Sequence, residues 1–197
     1  MWGAGPWAQL LVDNQTAADL INGKAKSDDP MVIAALLEVG TSLELLLRLG
    51  MKPWPVAEDL AVWIPLDLNR EADLLATSGK STTNTNFNAI ASDLILTAGL
   101  ANCSIRVFSD AGIGSDCAGL GAIIYVRRLG DWIPAVWACR SALPCSILAL
   151  EMRAVGLGLT LLEFCLRGRS QSHVLSESLF PLPQCVQIDE HTGFDLP

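Results

Sequence analysis

Apolar positions recur along the chain with two different spacings, and the switches between them mark the elements. "AQLLV" (8–12) is a short continuous apolar run that stops at Asp13, as a central strand would. "NQTAADLING" follows as a short helix stopped by Gly23. After the charged loop "KAKSDD", Asp29 stands as a cap and Pro30 in the first turn of a longer helix that runs to Gly50. Within it Val32, Leu36, Val39, Leu43, Leu46 and Leu47 fall at helical spacing. "KPWPVAED" (52–59) reads as a loop and "LAVWIPL" (60–66) as a second strand. A helix then opens at Asn69, with Glu71 and Asp73 in its first turn.

From Ser78 to Ser92 the residues are small and polar, which marks a linker over 80–103. The rhythm beyond it is different. "SIRVFSD" (104–110) is a strand ending in an acid, and "AGIGSDCAG" is a Gly-rich turn. "LGAIIYVRR" (120–128) and "DWIPAVWAC" (131–139) flank a tight Leu-Gly turn as two antiparallel strands. Pro134 lacks an N–H for the ladder, so the last strand lies at an edge or carries a bulge. A helix covers 146–165, and the segment 167–197 has little periodicity and reads as a poorly ordered tail. Strands and helices alternate throughout, so the fold class is α/β.

Composition narrows the functional classes. Of 197 residues, 51% are hydrophobic and 17% charged, which suits a buried core and opposes general disorder. The formal net charge of −8 argues against a broad phosphate-binding face. Six cysteines without a CxxC pair, and two histidines both beyond position 172, oppose a zinc site. Reduced thiols in an intracellular protein, cytoplasmic or nuclear, are the expectation. The N-terminus carries no signal-peptide pattern. The most apolar window (147–166) contains Glu151, Arg153 and Glu163, so it reads as a buried helix, and no membrane partner is expected.

Four acids stand out by position. Asp13 and Asp110 each end an apolar strand, Glu151 lies on an apolar helix, and Asp73 lies among Leu68, Ala72, Leu74 and Leu75. An acid on an apolar face is costly to bury unless a cation or donor neutralises it. Several converging acids make an oxygen-ligand site for Mg²⁺ or Mn²⁺. Taken singly, each also suits a structural role, Asp73 beside its helix N-terminus and Asp13 as a solvated strand end.

Together these stretches resemble the ribonuclease H family, especially the forms attached to retroelement reverse transcriptases. "VFSDAGIGSDCAGLGAIIY" resembles its first strand, hairpin and second strand, and "ILALEMRAVGLGLTLL" its first long helix. "LLVDNQTAADLINGKA" resembles its fourth strand and the helix after it, and "VWIPLDLNREADLLATSG" its closing strand and helix. In the family the strand–hairpin–helix half comes first. Here the second half occupies 1–79 and the first half 104–166. Two arrangements explain this order. One is a circular permutant whose segment 80–103 joins the old ends. The other is a slice spanning the end of one copy and the start of another, for which "SHVLSESLF" (172–180), with Glu177 in place of an Asp, offers a faint second fourth-strand motif.

The resemblance implies a mixed five-stranded sheet flanked by helices. It also implies a metal-dependent endonuclease that cleaves RNA in RNA–DNA hybrids, with Mg²⁺ (or Mn²⁺) held by Asp110, Glu151, Asp13 and Asp73. The implied partners are the hybrid and a reverse transcriptase domain in a longer polyprotein. A remnant that binds nucleic acid or a protein without cleaving is the alternative. Two departures bear on this choice. The loop 53–59 lacks the family's mobile His, and no basic handle helix is present. The cations expected near the site are few: Lys24, Lys26, Arg127, Arg128 and Arg140. Of the tryptophans, which could stack on bases, Trp63 and Trp137 read as core.

Overall fold

Helix termini follow the local chemistry closely. Asn14 follows the first strand and caps the first helix, accepting the Ala17 N–H at 3.1 Å. Asp29 accepts the Met31 N–H at 2.8 Å, with Pro30 at the first helical position. The computed structural model describes residues 6–53, 59–82, 86–89 and 103–167. Along them run β1 (Trp7–Val12), α1 (Gln15–Ile21), α2 (Pro30–Arg48), β2 (Lys52–Pro53), β3 (Ala61–Trp63) and α3 (Arg70–Gly79). β4 (Asn86–Ala89), β5 (Ser104–Ile113), β6 (Ala118–Arg128), β7 (Asp131–Ala142) and α4 (Ile147–Arg167) follow. The expected tail from 168 onward lies outside the described residues.

The strands form one mixed sheet in the order β2-β1-β5-β6-β7-β4, with β3 also pairing β1. β5, β6 and β7 are an antiparallel meander, while β1 lies parallel to β5, β2 and β3. Because β2 and β3 pair with successive parts of β1, seven strands fill six positions. The expected five-stranded sheet is therefore one position short. The extra strand is β4, drawn from the expected linker, where Asn86–Ala89 pairs antiparallel with Cys139–Val136 of β7. It satisfies backbone groups that an uncovered β7 edge would leave unpaired.

Three further local expectations are refined. The second strand is expected over 60–66, but only Ala61–Trp63 joins the ladder, and a 3₁₀ turn (Leu66–Leu68) takes over after Pro65. β5 does not stop at Asp110; it continues to Ile113, paired through Ala118 of β6. Trp63, expected in the core, is 46% exposed. It sits at the end of a three-residue strand, and its indole N–H donates to the Asp13 carbonyl at 2.9 Å. Pro134 does mark an irregularity: the β6–β7 register shifts between Ile124 and Tyr125, and Tyr125 pairs with Pro134. At the β6–β7 turn Leu129 and Gly130 both have positive φ, 53° and 104°, as a tight two-residue hairpin requires.

Side chains alternate across the sheet, so its two faces carry different helices. Gly158 of α4 lies against Val107 and Ala122. On the other face a Cβ at Gly121 would come within 2.4 Å of the Ala72 carbonyl and the Ala76 nitrogen, so α3 rests directly on the β6 backbone. Leu120, Ile124, Leu150, Leu159 and Leu162 fill the interior on the α4 side. α2 packs along α4 and buries Val32, Ala35, Val39 and Leu46. By length and composition α2, and not the 147–166 window, is apolar enough to cross a membrane. Segments 7–79 and 104–167 share this one core, because β1 pairs with β5 over six residues from Trp7↔Ser104 to Val12↔Ser109.

Candidate metal centre

The parallel register of β1 and β5 sets the site. Val12 lies opposite Ser109, so Asp13 and Asp110 are the next residues on neighbouring strands. Glu151, in the second turn of α4, reaches the same point from above the sheet. One carboxylate oxygen from each of Asp13, Asp110 and Glu151 lies within 4.8 Å of the other two. Asp110 and Glu151 are each only 5% exposed, and Asp13 is half-buried.

Three acids in one poorly hydrated place repel one another, and the protonation states follow. Burial, then the charges of Asp110 and Asp13, push the Glu151 carboxyl up to about 9. Burial, then Asp13 and Asp73, push Asp110 up to about 7. Asp13 is also raised by burial, but hydrogen bonds from Asn69 and from the Asp110 carboxyl partly offset this. Glu151 Oε2 has no hydrogen-bond partner. An ionised, unpartnered carboxylate in that position is expensive, and a divalent cation would remove the expense. The three carboxylates could bind a metal ion, and their donor set is entirely hard oxygen.

Of the four acids singled out in the sequence, Asp13, Asp110 and Glu151 converge. Asp73 stands apart from the converging three. It is exposed in the first turn of α3, and its charge raises both Asp110 and Asp13. Glu71, its first-turn neighbour, turns instead to the hydroxyl of Tyr125, which is held protonated by burial and by the Glu71 charge. Sequence reasoning missed Asn69 as part of the site. Its amide donates to the Ser109 carbonyl at 2.9 Å, and it is fully buried. A polar residue just ahead of a first-turn acid pair was the available signal, but it reads equally well as an ordinary cap.

Three of the cations among the described residues make contacts of their own. Lys24 pairs with Asp59, and Arg127 Nε donates to the Gly130 carbonyl at 3.3 Å. Arg106 stacks over Trp132 with 4.3 Å between guanidinium carbon and ring centre. Cys117, Cys139, Cys145 and Cys165 form no disulfide, and Cys145 accepts from Arg153 at 3.8 Å; Cys185 lies outside the described residues.

No family profile and no curated protein matches this chain. Among solved structures, a PelC dodecamer variant from Paraburkholderia phytofirmans aligns with 85% of this chain and 91% of its own. Sequence identity is 12% and the TM-score 0.32, a likeness too slight to carry an argument about fold or activity.

Proposed function

We propose that this protein is a ribonuclease H-like nuclease, with its two halves in circularly permuted order, that cleaves the RNA strand of RNA–DNA hybrids in the presence of Mg²⁺ or Mn²⁺. The observation that carries the reading is the convergence of Asp13, Asp110 and Glu151 within 4.8 Å. These acids come from elements far apart in the chain. They are also three of the four that the motif resemblance names. Read from Ser104 to Arg167 and then from Trp7 to Gly79, the elements run in the order in which that family's halves come. The shared β1–β5 ladder supports the permuted arrangement over a slice whose halves belong to separate copies.

Asp13, Asp110 and Glu151 would hold the ion, with Asp73 completing its surroundings from the rim. A bound divalent ion supplies an activated water and charge stabilisation at the phosphate under attack. The chain's own contribution is preorganisation. The β1–β5 register presents Asp13 and Asp110 side by side, and α4 sets Glu151 opposite them. Burial and mutual repulsion favour the protonated forms of Asp110 and, more strongly, Glu151, and a cation would offset the charge they bear when ionised. Discrimination of RNA from DNA rests on the 2′-hydroxyl. With few cations in reach, affinity for the hybrid is modest and falls as salt is added.

The test is cleavage of end-labelled RNA–DNA hybrid, with single-stranded RNA and duplex DNA alongside, in Mg²⁺ and in EDTA. Wild type is expected to cut only the RNA of the hybrid, and only with metal, whereas Asp110→Asn should leave it intact. No cleavage by the wild type, or equal cleavage by Asp110→Asn, overturns the catalytic reading.

A further inference from the structure

Asn69 occupies the position ahead of α3 where a capping side chain belongs, yet its side chain makes no cap hydrogen bond to its own helix. It crosses instead to the sheet. Its Nδ2 donates to the carbonyl of Ser109, the residue before Asp110, at 2.9 Å. The same amide lies near enough to the Asp13 carboxylate to favour its ionised form, partly offsetting the effect of burial. Its backbone carbonyl accepts the Asp73 N–H at 3.1 Å. The residue is 0% exposed, and its Oδ1 has no partner. One residue therefore ties β5 beside Asp110, through its side chain, to the first turn of α3, through its backbone carbonyl, with its amide near the acid that follows β1.

We propose that Asn69 is the positioning residue of the carboxylate centre, holding Asp13 and the strand before Asp110 in the spacing that binds a divalent ion. The residue type suits the task. An amide donates to a carboxylate without adding charge. An Asp here would place a fourth anion beside Asp13, Asp110 and Glu151, and a Lys or Arg would compete with the ion for the same oxygens. Partners of this kind orient metal-binding side chains, and their loss usually lowers affinity for the ion. The inference rests on the metal-dependent reading above and adds to it a residue that touches neither ion nor substrate.

The experiment is titration of the full-length protein with Mn²⁺, followed by electron paramagnetic resonance of free Mn²⁺ and by calorimetry. Wild type, Asn69→Ala and Asn69→Ser are compared with Ile105→Ala, which lowers stability at a buried position toward the other end of β5 from Asp110. Thermal unfolding in EDTA is recorded for all four. Asn69→Ala should weaken Mn²⁺ binding roughly 10- to 100-fold. Asn69→Ser, too short to span both partners, should shift in the same direction and decides the matter if the Ala variant does not fold. Ile105→Ala should bind as wild type does. Should both Asn69 variants melt lower yet bind Mn²⁺ within about twofold of wild type, Asn69 is structural only and the proposal falls. Should the wild type itself bind no Mn²⁺, the metal-dependent reading fails first and takes this inference with it.

Discussion

Replacing Glu151 with Gln should make the metal-free protein more stable at neutral pH while destroying its response to divalent ions. The magnitude follows from the carboxyl's displacement from its ordinary 4.5 to about 9. Below pH 4.5 the folded and unfolded chains both hold this proton, and ionisation contributes nothing. Between 4.5 and about 9 the unfolded chain releases the proton and the folded chain keeps it. The folded state then binds more protons, so stability falls as pH rises, and the fall stops once pH passes the folded value. At about pH 7.5 the loss amounts to roughly 4 kcal/mol relative to acid conditions. Gln has the shape of the protonated acid and never ionises, so it removes this slope. Its buried amide brings a desolvation cost of about 1–3 kcal/mol at every pH. The net expectation near pH 7.5 is a gain of about 1–3 kcal/mol over wild type. Near pH 4.5 the variant should be no better than wild type. The assay is urea unfolding in EDTA at several pH values, repeated with Mg²⁺, which should stabilise wild type most at high pH and the variant little. Parallel pH profiles for the two proteins would refute the reasoning, because they would mean that Glu151 is already ionised in the folded state.

Two further outcomes follow from the geometry. Asp73→Asn should weaken Mn²⁺ binding less than Asp13→Asn does in the same calorimetric titration, because Asp73 acts on the centre through its charge and stands outside the converging three. An equal loss would move Asp73 into the ligand set. Gly121→Ala puts a methyl within 2.4 Å of the Ala72 carbonyl, so α3 must shift off β6. That overpacking should lower stability by about 1–3 kcal/mol in denaturant titration, and an unchanged midpoint would contradict the direct seating of α3 on the sheet.

Much of the local structure was legible because it depends on neighbours a few residues apart. Asn14 and Asp29 cap helices whose own N–H groups they reach, and Pro30 and Pro134 act through a missing donor. Asp13 and Asp110 were recognisable as strand acids, and Glu151 as an acid on an apolar helix, from the hydrophobic pattern alone. Other features depend on pairings that periodicity does not encode. β4 exists because β7 has an edge to be covered, and Trp63 is exposed because β3 stops after three residues at the sheet's margin. Asn69 has the sequence signature of a cap, and only the approach of β5 turns its amide across to Ser109. The centre is the clearest division. Which acids are available, and on what elements they ride, follows from the order of residues alone. That three of them meet depends on a parallel β1–β5 register between segments over ninety residues apart. Side-chain chemistry acts over a few ångströms, and only the completed sheet brings those segments within that reach.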